Sequence, residues 1–228
     1  MTRERHLHWD GCANVRDLGG IGTRGRRIRR GAIVRADALD RLSAAGWAAL
    51  EAHGVRTVID LRNSDELGED VAPRPPGLTM HHLPLDGVED MEFWQDWHGR
   101  PEFGTPIYYR PFLDHFPERT AAVFTAIARA EPGGVAVHCG IGRDRTGLIA
   151  ILLLALAGAG PEEIAADYAL SEARVPFGQI GTFYEDRGIA AADVIAALLA
   201  ELDVEAYLRA AGVSEDDLEA IRARLLSR

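Results

Sequence analysis

The sequence predicts an α/β domain with a mainly parallel central sheet flanked by helices and a helical C-terminal layer. Apolar, β-branched runs of strand length alternate with helix-like segments over roughly the first 160 residues, a pattern typical of strand–helix–strand units. The last third shows only helical periodicity. The chain has 228 residues, a length that suits one such domain, and we predict a single domain over residues 1–228.

Four segments have the character of buried strands. They are rich in valine, isoleucine and leucine and are bounded by glycine, proline or charged residues. The predicted strands cover residues 31–37, 55–62, 78–84 and 135–138.

Helix signals fill most of the remaining chain. Ser43 suits an N-cap and Gly54 a C-terminal glycine, which predicts a first helix between them. Further helices are predicted over residues 118–130, 145–157, from Pro161 onward, 190–202, 204–212 and after the N-cap Ser214. The apolar run at 148–160 is shorter than the ~18 residues that a membrane span needs, so we interpret it as a buried helix.

The segment between residues 87 and 117 is irregular and rich in aromatic residues, prolines and glycines. Long segments of this kind in compact domains are often functional lids. A pair of short surface helices with aromatic anchors in the core is an equally compatible interpretation.

The charge balance restricts the partners. A formal net charge of −10 disfavours nucleic acid and stable association with anionic membranes, but a local cluster of donors can still bind a small phosphorylated substrate. All 25 basic residues are arginine, and the basic run at 23–31 is interpreted as a solvated hairpin or loop. The polar N-terminus lacks the apolar stretch of a secretory signal, so we expect a cytoplasmic protein, with leaderless secretion left open.

The segment "VHCGIGRDRTG" carries the chemistry. It joins a predicted strand to a predicted helix through a glycine-rich loop, and such junctions bind anions through backbone N–H groups and the helix N-terminus. It is not a Walker A loop, because the chain contains no lysine. Instead Cys139 opens the loop and Arg145 closes it.

A thiol in an anion-binding nest loses its proton readily, because the nest stabilises a thiolate as it does any anion, and a thiolate is a strong nucleophile. The planar fork of Arg145 matches two phosphate oxygens. We therefore predict that Cys139 is the nucleophile of a phosphatase. The predicted phosphate-binding loop consists of Gly140, Ile141, Gly142, Arg143, Asp144 and Arg145.

The same segment resembles the "HCxxGKDRTG" signature of bacterial tyrosine phosphatases related to the secreted mycobacterial-type enzyme that acts on protein and lipid substrates. "NVRDLGG" at 14–20 is similar to the "NFRDLGG" of that family, and "VIDLRNSDE" at 58–66 is similar to its "xxDLRxxxE". "DYALSE" and the terminal helices also resemble the family. The resemblance covers nearly the whole chain and implies a cysteine-phosphatase fold with a helical lid.

By position, the resemblance implies that Cys139 forms a phosphocysteine intermediate and that Arg145 binds the phosphate. Asp144 matches the aspartate that serves some members as general acid, and Thr146 the hydroxyl residue that helps the thiolate to leave. Asp60 matches the aspartate at the end of the "DLR" strand and is carried over as a catalytic candidate.

Two positions depart from the family motifs. Val15 stands in place of a phenylalanine, a change that affects packing. Arg143 stands in place of a lysine and bears on substrate choice, because a second basic residue in the loop suits an additional phosphate, as on an inositol ring.

Several roles stay open at this stage. Asp144 is either the general acid or a structural residue, with Asp60, Asp86 and Asp114 as competitors. Asn14, Arg16 and Asp17 are expected to pack against the loop, Arg62 to hold Asp60, and His138 to bond to the loop. His6, His8, His81 and His82 have metal-like spacings, but no cysteine or carboxylate cluster supports them, so we predict neither a metal nor a cofactor.

The predicted function is hydrolysis of phosphotyrosine, with phosphoserine, phosphothreonine and phosphoinositides as further candidate substrates. A phosphorylated protein or phosphoinositide is thus the expected partner, and the oligomeric state is left open. Two alternatives are a rhodanese-like sulfurtransferase, whose loop also begins with cysteine, and a phosphate-binding module without catalysis. The "DRTG" ending and the presence of both Cys139 and Arg145 favour the phosphatase.

Overall fold

The computed structural model describes residues 5–100, 102–174, 184 and 186–226, and a five-stranded sheet forms its centre. The strands run in the order β1-β2-β5-β3-β4. They comprise β1 Arg16–Asp17, β2 Ile33–Ala36, β3 Val55–Asp60, β4 Thr79–His82 and β5 Gly134–His138. Only β1 is antiparallel to its neighbour. The expected mainly parallel sheet is therefore confirmed.

The strand register explains where the functional residues meet. In the parallel ladders, His138 of β5 lies opposite both Ala36 of β2 and Asp60 of β3. These three strands therefore end at the same edge of the sheet. The loops that follow them, including the one that begins at Cys139, must converge there.

Helices cover both faces of the sheet. In chain order they are α1 Ala44–Ala52, α2 Met91–Trp97, α3 Tyr109–His115, α4 Pro117–Arg129, α5 Arg145–Leu156, α6 Pro161–Glu172, α7 Ala191–Glu201, α8 Val204–Ala210 and α9 Glu215–Leu225. The expected caps of α1 are present. The Ser43 side chain accepts a hydrogen bond from the Gly46 N–H, and Gly54 has a φ of +92°, a conformation that glycine adopts without strain.

Alternating side chains divide the core into two parts. Val34, Val58 and Ala136 face the cluster under α1, which also contains Trp9 and Trp47. Their strand neighbours Ile33, Ile59 and Val135 face the larger cluster on the other side of the sheet, against α3 to α9. This alternation is the period of two that strands impose on their side chains. The apolar helix α5 lies inside the larger cluster.

The irregular segment at 87–117 contains α2, a 3-10 turn at Pro106–Tyr108 and α3. Trp94, Tyr108, Tyr109 and Phe112 are buried and pack on one another or on neighbouring rings. The interpretation as short helices with aromatic anchors is therefore confirmed. α2 and α3 have seven residues each, about two turns, which is too short for a clear helical period in the sequence.

Two surface features complete the description. The basic run forms an exposed turn in which the Thr23 N–H bonds to the Arg26 carbonyl at 2.9 Å, as expected for a solvated hairpin. Within the described ranges, none of the helices has both the length and the apolar character needed to cross a bilayer.

Candidate active site

The candidate nucleophile lies at the carboxyl edge of the central strand. Cys139 directly follows β5 and is 1% exposed. The loop then runs to Asp144, and α5 begins at Arg145. Gly142 has a φ of +70°, and a Cβ atom there would lie 2.5 Å from the Ala36 carbonyl oxygen. This position therefore requires glycine to bring the loop against β2.

The carbonyl groups of the active-site loop accept hydrogen bonds from residues behind the loop, on the side away from the predicted phosphate site. The carbonyl oxygen of Gly140 accepts from the Ala38 N–H at 3.2 Å, that of Ile141 from the Asn14 side chain at 2.9 Å, and that of Gly142 from Arg35 at 2.9 Å. The C=O and N–H of one trans peptide point in opposite directions. The N–H groups that follow these carbonyls therefore face the other side of the loop, as an anion-binding nest requires.

Arg145 is held as a fork at this side. Its Nη2 donates to Glu66 Oε1 at 2.6 Å, and its Nη1 donates to Glu66 Oε2. Nη1 also lies 3.1 Å from Asp86 Oδ2. Burial alone would lower the pKa of Arg145, but the two carboxylates outweigh it and raise the pKa. Two of the five N–H donors of the guanidinium are bound by Glu66, which leaves others for a phosphate.

Glu66 and Asp86 are site residues that sequence reasoning did not assign to Arg145. Glu66 ends the 3-10 turn Ser64–Glu66, where its Oε2 accepts a hydrogen bond from the Asn63 N–H at 2.8 Å. The Asn63 side chain also donates to Asp86 Oδ2 at 3.1 Å. Glu66 lies in the "DLRNSDE" motif that the sequence singled out, but its contact with Arg145 can be recognised only in the folded structure.

Two carboxyl groups near Arg145 have raised pKa values. Burial is the main cause for both, raising the pKa of Asp144 to about 6 against the opposing charges of Arg143 and Arg145. Burial also raises the pKa of Asp86, although Arg145 counteracts it. A raised pKa leaves a larger fraction of a carboxyl group protonated, and the protonated form can donate its proton to a leaving group.

Asp60 lies in a different environment, at the end of β3. It accepts from Arg62 Nε at 3.0 Å and Arg62 Nη2 at 2.8 Å. Burial opposes its ionisation, but these hydrogen bonds and the charge of Arg62 outweigh the burial and lower the pKa of Asp60. Burial also lowers the pKa of His138 to about 4, so that ring is neutral at pH 7. The expected pairing of Arg62 with Asp60 is present.

Arg143 and Thr146 are both 1% exposed. The Arg143 guanidinium lies over the Tyr168 ring, 5.7 Å from its centroid, and Nη2 is 3.5 Å from Glu172 of α6. The side chain thus faces α6, which favours support of the loop over contact with a second phosphate. The Thr146 hydroxyl has no hydrogen-bond partner among the described residues.

The histidines with metal-like spacings have other contacts. The His6 and His8 rings meet edge to face, and His82 Nε2 lies 2.8 Å from the Arg62 carbonyl oxygen. No group of three or more potential ligands that could hold a metal ion occurs in the described part of the chain.

Comparisons with known proteins agree with the motifs. A model described as the tyrosine phosphatase family matches residues 7–227. A tyrosine-protein phosphatase of Nostoc commune is 34% identical over 227 residues, a match that covers 89% of this chain and 76% of the relative. The triple specificity protein phosphatase PtpB of Mycobacterium tuberculosis is 29% identical over 195 residues, or 73% of this chain and 69% of PtpB.

Among solved structures, P. aeruginosa TpbA in complex with pTyr aligns with a TM-score of 0.42 and 20% identity, over 82% of this chain and 90% of that chain. The family match over almost the full length does not favour the sulfurtransferase or the non-catalytic binding module. The chain belongs to the tyrosine phosphatase family.

Proposed function

We propose that this phosphatase hydrolyses phosphotyrosine in two steps through a phosphocysteine at Cys139. The observation that carries the proposal is the loop itself. Its carbonyls are bound from behind by Ala38, Asn14 and Arg35, and the Arg145 fork closes it. A thiolate and an oriented guanidinium at one anion nest are the two groups that covalent phosphoryl transfer needs.

In the first step, the Cys139 sulfur attacks phosphorus, an S–P bond forms and the P–O bond to the tyrosine ring breaks. The leaving phenolate takes up a proton. In the second step, water attacks phosphorus, the S–P bond breaks, the thiolate is restored and inorganic phosphate leaves. Arg145 and the loop N–H groups stabilise the charge on the phosphoryl oxygens in both steps, and we assign to the Thr146 hydroxyl the role of donor to the departing sulfur.

Asp144 is the proposed general acid. Its pKa of about 6, raised by burial, leaves part of the population protonated at neutral pH. Asp86 is the competing candidate, since its pKa is also raised by burial and it touches Arg145. Asp60 is the weaker candidate because Arg62 keeps it ionised. Asp114 is exposed and pairs with Arg110.

We expect Asp144→Asn to lower kcat by about 100-fold for a leaving group as basic as tyrosine, whose pKa is about 10. The loss should be much smaller for p-nitrophenyl phosphate, because a good leaving group needs no proton. In the wild type, we expect kcat to fall above about pH 6, because Asp144 loses its proton there. This fall should be absent in Asp144→Asn. Steady-state kinetics across pH with both substrates measure this.

Asp86→Asn is the matched control for that experiment. It removes a second carboxyl group of raised pKa at the same site. Equal losses on both substrates in Asp144→Asn would make Asp144 structural. A loss confined to basic leaving groups in Asp86→Asn would identify Asp86 as the acid.

The breadth of the substrate range is a further part of the proposal. The name of PtpB describes a triple specificity, which supports a substrate range wider than phosphotyrosine, and phosphoserine, phosphothreonine and phosphoinositides are the additional substrates that we propose. The side chain of Arg143 is buried against Tyr168, so a second phosphate group on an inositol ring would need other contacts. Phosphotyrosine is thus the primary proposed substrate.

A substrate panel tests the proposed function. Phosphotyrosine peptides and p-nitrophenyl phosphate should be hydrolysed, with the activity retained in EDTA because Arg145 and the N–H groups supply the positive charge. Thiosulfate should not be consumed. Sulfur transfer from thiosulfate, or phosphate binding without turnover, would contradict the proposal. Phosphoinositide vesicles and phosphoserine peptides in the same assay define the breadth of the substrate range.

A further inference from the structure

A buried charge cluster lies behind the active-site loop. Its centre is Asp167 of α6, which is 1% exposed. Asp167 accepts from Arg5 at 2.5 Å, from Arg16 Nε at 3.1 Å and from Arg35 Nη1 at 2.7 Å. Arg16 and Arg35 are each 1% exposed as well. Charges buried to this extent are costly unless they are paired and hydrogen-bonded, as the three arginines and Asp167 are here.

Arg35 connects this cluster to the loop. While Nη1 is bound to Asp167, Nη2 donates to the Gly142 carbonyl at 2.9 Å and lies 3.4 Å from that of Arg143. The guanidinium is planar and its donors have fixed directions. Asp167 therefore orients the same rigid fork that turns the Gly142 carbonyl away from the phosphate side.

The cluster has one formal carboxylate for three guanidinium groups. Burial, with repulsion from Arg35, lowers the pKa of Arg16 to about 9 in spite of Asp167. Asp167 is held ionised, because the charges of Arg16, Arg35 and Arg5 outweigh its burial and lower its pKa. These four groups thus keep a net positive charge behind the loop, on the side opposite the predicted phosphate site.

We propose that Arg35 and Asp167 form a positioning pair for phosphoryl transfer, in which Asp167 fixes Arg35 and Arg35 fixes the peptide between Gly142 and Arg143. With its carbonyl bound to Arg35, that peptide directs the Arg143 N–H toward the phosphate. The pair lies outside the Cys139–Arg145 loop, and Arg35 and Asp167 contribute no atom that touches the substrate. The inference rests on the proposed phosphocysteine mechanism.

The pair also stabilises the core, so its test needs a measurement that stability alone would not change. A misdirected N–H group weakens binding of the charge that develops in the transition state more than binding of the ground state. The expected signature is a fall in kcat with little change in KM. A merely structural role would instead reduce the folded fraction and leave the kinetics of the folded molecules intact.

The main variant is Arg35→Met, which keeps the length of the side chain and leaves Asp167 bound to Arg5 and Arg16. We expect kcat toward p-nitrophenyl phosphate to fall about tenfold or more, KM to change less than threefold, and orthovanadate inhibition to weaken. The kcat of Arg35→Lys should remain roughly fivefold or more below that of the wild type, because a single ammonium nitrogen lacks the two terminal nitrogens with fixed donor directions that bind Asp167 and the Gly142 carbonyl. Asp167→Asn should show the same signature if it folds.

Asp217→Asn is the matched control. Asp217 is 7% exposed and binds Arg129 in a bidentate pair between α4 and α9, at 3.0 and 2.9 Å. This variant should lose stability without a fall in kcat per folded molecule. Folded Arg35→Met with kcat within twofold of the wild type, or fully active Arg35→Lys, would overturn the positioning pair. An inactive wild type would instead refute the proposed function.

Discussion

Replacing Cys139 with serine is expected to abolish turnover while phosphate analogues stay bound. The loss should be about 10⁴-fold or more, as for other nucleophiles of covalent catalysis. A serine hydroxyl is far less acidic than a thiol, and no described side chain is placed as its base: the neighbouring His138 is 1% exposed, and burial lowers its pKa. The nest does not depend on sulfur, because its N–H groups are set by the contacts of Asn14 and Arg35 with the loop.

The measurement combines two assays on the purified variant. Release of inorganic phosphate from a phosphotyrosine peptide should fall to the blank rate, and isothermal titration with orthovanadate or phosphate should still show binding. A second test is mass spectrometry of quenched wild-type reactions, which should detect one added phosphoryl group on Cys139. Appreciable turnover by Cys139→Ser would exclude the covalent mechanism.

Cys12→Ser is the matched control for cysteine replacement. Cys12 lies near the loop, with Sγ 3.5 Å from the Ala38 carbonyl oxygen, but burial raises its pKa far above the usual range, with a further contribution from Asp37. It stays a thiol under assay conditions. Activity should therefore be close to that of the wild type.

The central sheet was predictable because its signals are local. Each of the four predicted strands has a compact apolar run, and the helices predicted between β2 and β3 and before β5 favour parallel pairing. β1 at Arg16–Asp17 was not predicted. Two residues cannot show a strand period, and their pairing with Arg35 and Val34 depends on how the chain folds back.

The candidate site was only partly predictable, because some of its contacts are local in the sequence and others join residues that are far apart along the chain. Cys139 and Arg145 lie within one loop motif, so their relation can be recognised along the sequence. The partners of Arg145 are Glu66 and Asp86, far apart along the chain and brought together only by the sheet edge. Arg35, in the middle of a strand, carries no signal that it bonds to the Gly142 carbonyl.

Arg143 is a residue whose side-chain direction the motif did not predict correctly. Its place in the motif suggested a charge that faces the substrate, because neighbouring loop residues bind phosphate. The position of a residue in a loop motif does not determine the direction of its side chain, however. The Arg143 guanidinium lies against Tyr168 and Glu172 of α6. The backbone N–H of Arg143 and its side chain thus serve different surfaces.

The second large effect is expected for Arg145→Lys, which keeps the charge and removes the fork. We expect kcat to fall by about 100- to 1,000-fold, because an ammonium cannot give two parallel hydrogen bonds to the phosphoryl oxygens. It would also bind Glu66 and Asp86 as a point charge, without orientation. Steady-state kinetics with p-nitrophenyl phosphate, with thermal unfolding as a stability check, measure the effect.

Glu66→Gln tests the contribution of Glu66 to the orientation of the Arg145 guanidinium. Glutamine can still accept one hydrogen bond from Arg145, whereas the carboxylate accepts one from each terminal nitrogen. The expected loss of kcat is therefore smaller than in Arg145→Lys, because the guanidinium fork itself remains and only its orientation is weakened. If Glu66→Gln were as inactive as Arg145→Lys, Glu66 would have a role of its own in the reaction. If Arg145→Lys kept near wild-type kcat, positive charge alone would suffice and the bidentate clamp would be refuted.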